Sequence, residues 1–130
     1  MILSADEFVE LRRNNDPRAA HEEANFEVWM DVISNYPDMK EWVVHNKTVP
    51  LEILLLLADD PDSDIRACVA DKRKLSEQLF EKLSLDVDDL VRQRIASNKK
   101  TPFDILKRLS QDKSRLVREA AIKSLGERES

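Results

Sequence analysis

Apolar positions in the second half of the chain recur as short helical stripes that alternate between two kinds. Ile53, Leu54 and Leu57, then Leu79, Phe80 and Leu83, then Ile105, Leu106 and Leu109 follow the i, i+1, i+4 spacing of a helix buried on one side. Each is followed by a second stripe: Ile65, Val69 and Ala70; Val91, Ile95 and Ala96; Val117, Ala121 and Ile122. The pattern predicts two short helices per unit. The first starts near Pro50, Ser76 or Pro102, with Thr101 and Asp104 as a capping pair in the last unit. The second starts after Asp60, Asp86 or Asp112, taken as N-caps that also suit the positive end of a helix dipole. Small residues at positions 70 and 96 let neighbouring helices approach closely.

These stripes align without gaps at a period of 26 residues, so that Leu57, Leu83 and Leu109 share one column, Asp60, Asp86 and Asp112 a second, and Arg66, Arg92 and Arg118 a third. A fixed period of this size marks units that cannot bury an apolar face alone and must stack on their neighbours. The units are 49–74, 75–100 and 101–126. A worn copy at 37–48 precedes them: Met39 and Val43 fall in the columns of Ile65 and Val69, and VVHNKTVP at 43–50 matches IASNKKTP at 95–102. Residues 1–36 read as an N-terminal helical cap, forming one domain with the repeats, and 127–130 as a tail. In the cap, Ser4 and Glu7 make a capping box with Leu3 stapled on Phe8, and a helix runs to Arg13. Asp16 and Pro17 open a segment to Glu23, and Phe26, Trp29, Val32 and Ile33 mark a helix over 26–35.

The column residues resemble the leucine-rich repeat variant family, close to HEAT and armadillo helical repeats. The pattern appears as Pro50, Leu57-Ala58, Asp60, Ile65-Arg66 and Val69-Ala70, and again as Pro102, Leu109-Ser110, Asp112 and Val117-Arg118, with Asn46 and Asn98 in its asparagine slot. It covers residues 37 to 126. The resemblance implies an all-α fold, a short right-handed HEAT-like α-α superhelix, and a structural ladder in which each Arg reaches an Asp of the neighbouring unit. One member of that family is associated with a cysteine-ligated iron–sulfur cluster, a site that Cys68, the single cysteine here, cannot build.

Composition narrows the picture. A single glycine, Gly126, nearly excludes hairpins and stands where a final helix would place its C-terminal glycine. The opening MILSADEF has no basic n-region, no apolar run spans a bilayer, and one cysteine suits a reducing compartment, so a cytoplasmic protein without membrane contact is expected. The formal charge of −5 divides unevenly: residues 1–91 carry 10 Lys/Arg against 21 Asp/Glu, and residues 92–124 carry 10 against 3.

Candidate chemistry is sparse. His21 and His45, the two histidines, stand in no nucleophilic or metal-ligand motif. Asp59, Asp60, Asp62 and Asp64 lack the glycine and distal glutamate of a calcium loop. No cofactor, metal or enzymatic activity is expected. The exposed columns of the second helices carry Cys68, Asp71 and Lys72, then Arg94, Ser97 and Asn98, then Ala120, Lys123 and Ser124, and the turns add a basic ridge of Lys72, Arg73 and Lys74 followed by Lys99 and Lys100. Lys72, Arg73, Arg94, Asn98, Lys99, Lys100 and Lys123 are the candidate partner-binding residues. A protein-binding adaptor or a small inhibitor of immunity or antitoxin type is the expectation, with nucleic-acid binding through the basic C-terminal third as the alternative.

Overall fold

The computed structural model describes residues 1–129, which contain helices and no strand apart from an isolated bridge between Ile2 and Ala24. The helices are α1 (Ala5–Arg13), α2 (Arg18–His21), α3 (Phe26–Asn35), α4 (Lys40–His45), α5 (Leu51–Leu57), α6 (Ser63–Ala70), α7 (Glu77–Ser84), α8 (Asp89–Ser97), α9 (Phe103–Leu109) and α10 (Arg115–Glu129), with a 3-10 turn at Pro37–Met39. Among the described residues, none is long and apolar enough to cross a membrane. The chain divides into two compact units at Asp59 and Asp60.

In the first unit α1 packs on α3, α2 on α4, and α5 on both α3 and α4. Phe8 and Trp29 are wholly buried and meet edge to face, with ring centroids 5.2 Å apart and planes at 80°. Such a pair adds about 1 kcal/mol to the burial of the two rings. The start of the chain departs from the expected staple: Leu3 is exposed, and Ile2 is the residue that is buried. The reason is backbone pairing, because the Ile2 amide donates to the Glu23 carbonyl at 2.7 Å and turns its own side chain inward. The same pairing ends α2 at His21, before the expected Glu23. Ser4 does cap α1, accepting from the Glu7 amide at 3.1 Å, while the Glu7 carboxylate reaches Leu3 rather than the cap residue. Phe26 of the expected α3 stripe is exposed.

In the second unit like packs on like: α6 on α8, α8 on α10, and α7 on α9. Three anchors hold this register. The first is the aspartate column. These residues are not N-caps; the caps of α6 and α8 are Asp62 and Asp88, two positions on. Asp60, Asp86 and Asp112 each accept from the amide two residues ahead, at 2.9, 2.9 and 2.8 Å, in a turn that aims the chain into the helix. The second anchor is arginine. Arg66 donates from Nε and Nη2 to the two oxygens of Asp86 at 2.9 and 3.2 Å, and Arg92 does the same to Asp112 at 3.0 and 3.2 Å. The Nη1 atoms of both turn back to the carbonyls of Asp60 and Asp86 at 2.7 Å. The Arg92 and Asp112 side chains are only 7% and 11% exposed, so water does little to screen the pair. The third anchor is Asn98, whose amide donates to the carbonyls of Ala70 and Lys72 at 2.8 and 2.7 Å.

Two further expectations change. Thr101 is buried and donates to the Ile95 carbonyl at 2.6 Å, closing the end of α8 instead of capping α9. Gly126 lies inside α10, which runs on to Glu129, and is no C-cap. A methyl group at this position would meet nothing within 4 Å. Gly126→Ala is therefore expected to stabilise the protein by about 0.5 kcal/mol, measured by urea denaturation, through the lower entropy of the unfolded chain.

Arg92→Ala leaves the Asp112 carboxylate buried and unpaired and is expected to cost about 3 kcal/mol in the same measurement. Arg118→Ala, which removes hydrogen bonds to carbonyls alone, is expected to cost about 1 kcal/mol or less. Burial pushes the Asp112 carboxyl up, but hydrogen bonds from Arg92 and the Ser114 amide outweigh it and hold the group below its ordinary value of 3.8. A pKa depressed by folding gives stability that is complete above the unfolded value and is lost as the pH falls through the lower folded value. An acid titration followed by circular dichroism should thus show a smaller loss of stability between about pH 5 and pH 2 in Asp112→Asn than in the wild type.

Candidate functional site

The anchors of the second unit bring its inter-helix turns into line. Asn98 ties the end of α8 to residues 70–72, Ser124 donates to the Ala96 carbonyl at 2.6 Å, and Arg128 donates to the Lys99 carbonyl at 2.9 Å. Arg73, Lys74, Lys99, Lys100 and Arg128 are exposed along this edge, as is Lys123 on α10. Arg128, which the repeat pattern did not nominate, joins the ridge because α10 continues past the last period.

Three candidates stand differently. Asn98 is buried, with both its amide and its carbonyl taken up by backbone, the latter accepting from the Lys100 amide at 2.9 Å. Its side chain is not presented to a partner. Arg94 is exposed but donates to the Asp71 carboxylate at 2.5 Å, which neutralises it locally. Lys72 is half-buried, and burial pushes its pKa down.

The first unit holds a cavity of about 230 Å³ between α1, α2 and α4. Its apolar part is Pro17, Ala19, Ala20 and the half-buried Trp42. Arg12, in the last turn of α1 where the helix dipole favours a cation, lies over the indole with its guanidinium carbon 3.4 Å from the ring centroid. Asn15 holds Arg12 there, its carbonyl oxygen accepting from Nη1 at 3.0 Å. Asn15 reaches that position by adopting φ 54°, a left-handed conformation that asparagine tolerates better than most side chains. The Arg12 Nε is buried and has no acceptor, and among the described residues no carboxylate lies within ion-pair distance of the group. The one acid on the cavity wall, Asp16, is committed to Arg18, whose hydrogen bonds hold its carboxyl below the ordinary range. His45 completes the wall, its ring 5.5 Å from that of Trp42.

The cavity thus presents a fixed cation beside an apolar surface, a combination suited to an acidic or carboxylate-bearing group with an apolar neighbour. Trp42 lies one period before Cys68 and two before Arg94, and His45 one period before Asp71 and two before Ser97. That register was the signal in the sequence. Trp29, by contrast, belongs to the core. Tyr36 is half-buried and donates its hydroxyl to Asp6. Cys68 is half-buried. No protein-family model, curated protein or solved structure matches the chain.

Proposed function

We propose that this chain is a non-enzymatic, HEAT-like helical-repeat module that binds another protein, acting as an adaptor or a small inhibitor. The observation that carries this reading is a division of labour among columns. Residues that repeat every 26 positions, the Asp and Arg of the anchors, and the Asn that recurs at alternate units, are taken up by packing and hydrogen bonds within the fold. Residues that vary in the columns of positions 68 and 71, including Trp42, His45, Asp71 and Arg94, lie at least partly at the surface. A scaffold with constant interior columns and variable outer ones recognises partners through the latter. Neither His21 nor His45 is hydrogen-bonded to a carboxylate or hydroxyl among the described residues, which favours binding over proton transfer.

The aligned cations Arg73, Lys74, Lys99, Lys100 and Arg128 support a second reading, nucleic-acid binding along the turn edge. One experiment separates the two. The tagged full-length protein, the Trp42→Ala variant and the Lys99→Glu/Lys100→Glu double variant are used to recover partners at low and moderate salt, and each is tested for a mobility shift of random duplex and single strands. Protein binding predicts a partner whose retention falls with salt and drops at least tenfold in one of the two variants. Equal recovery by all three proteins, or a strand shift without any protein partner, would overturn the proposal.

A further inference from the structure

Arg118 repeats the geometry of Arg66 and Arg92 but not their pairing. Its Nη1 donates to the carbonyls of Asp112 and Lys113 at 2.8 and 3.1 Å, as Arg66 does to those of Asp60 and Pro61. In Arg66 and Arg92 the remaining two donors, Nε and Nη2, close on an aspartate carboxylate twenty positions further along the chain. In Arg118 those two donors meet no acceptor among the described residues.

The apolar surface beside Arg118 is open in the same way. Ala70 and Ala96 are 0% exposed, whereas Ile122, in their column and one turn of α10 from Arg118, is 58% exposed. The expectation that Ile122 is buried with its column fails for this reason. Ser84 is sealed by Arg108, which donates to its hydroxyl at 2.7 Å, while Ser110 in the same column is only half-buried. Two columns closed within the unit, those of Arg118 and Ile122, are therefore open one turn apart on α10. Lys113 and Lys123 are exposed on the same stretch, in the part of the sequence where basic residues outnumber acidic ones.

We infer that this face binds a partner protein segment in which an aspartate stands in a turn just ahead of an amphipathic helix. Its carboxylate closes on Arg118 Nε and Nη2, and the apolar side of its helix covers Ile122. The contact continues the one already made between α6 and α8 and between α8 and α10. A bare phosphate fits the fork but leaves Ile122 wet, which is why the occupant is a protein helix and not a nucleic-acid backbone. The inference deepens the proposed binding role, and its test reads a different face from the ridge and the cavity, so either can fail alone.

The probe is a fluorescent peptide copying residues 75–100, whose Asp86 leads into a helix with an acidic start at Asp88 and Asp89. Titrated with the full-length protein, it is expected to bind saturably. Affinity should fall at least tenfold with Arg118→Ala in the protein or with Asp86→Ala in the peptide, and the two changes together should do no more than either alone. Arg118→Lys, which keeps the charge and loses the fork, should behave like Arg118→Ala. Because a free peptide folds poorly, the same segment is also joined directly after Gly126, which puts its aspartate in the register of the other two pairs. In that longer chain Arg118→Ala is expected to lower the melting temperature by several degrees, against about one or two in the original chain. Binding in neither format, or binding that Arg118→Ala leaves intact, would overturn the inference.

Discussion

A single carboxylate per repeat, shared between two duties, is the constraint on which the second unit depends. One oxygen of Asp86 or Asp112 receives the amide that starts its own helix, and both oxygens receive the guanidinium of the preceding unit. Local turn and long-range packing therefore share an atom. A slip of one residue would break both at once and leave a buried charge without a partner. An isolated buried ion pair is often no better than an apolar contact of the same size, so its contribution here is chiefly to fix which surfaces meet. The apolar columns supply the bulk of the stability, but Leu, Ile and Val tolerate rearrangement far better than a two-pronged hydrogen bond does.

Asparagine carries the same logic into the turns and across both units. Asn98 ties its turn to the carbonyls of Ala70 and Lys72, and Asn46 ties its own to those of Ala19 and Glu22 at 2.9 and 3.0 Å. In each case the side-chain carbonyl also accepts the amide two residues on. The first unit thus uses the same fastening although its sequence lacks the clean period of the second. The side chains of Trp42, Arg12 and Lys99, which take no part in this fastening, lie at least partly at the surface.

Much of the architecture was legible in the sequence because periodicity is a property of side-chain spacing. Stripes such as Leu79, Phe80 and Leu83 named helices that form where expected, and the core columns follow from them. What escaped notice depends on competition between local signals. Asp60 and Asp62 are both good caps, and only the geometry shows that the second caps while the first braces the turn. Glycine after an apolar stripe resembles a helix end, yet Arg128 reaching the Lys99 carbonyl shows α10 still packing beyond Gly126. Backbone pairing of Ile2 with Glu23 has no side-chain signature at all. The cavity was the least legible feature, since Arg12 and Trp42 are thirty positions apart and meet through a left-handed Asn15.

The regular spacing of the arginine and aspartate partners has a bearing on how such a chain can change its length. Excising residues 75–100 would bring Arg66 into the relation with Asp112 that it now has with Asp86, and the fork would close as before. Removing any other number of residues from the same region would strand a carboxylate in the interior. Growth and shrinkage of this protein are thereby quantised, and descendants are expected to differ by whole units long before they differ by ragged insertions within one.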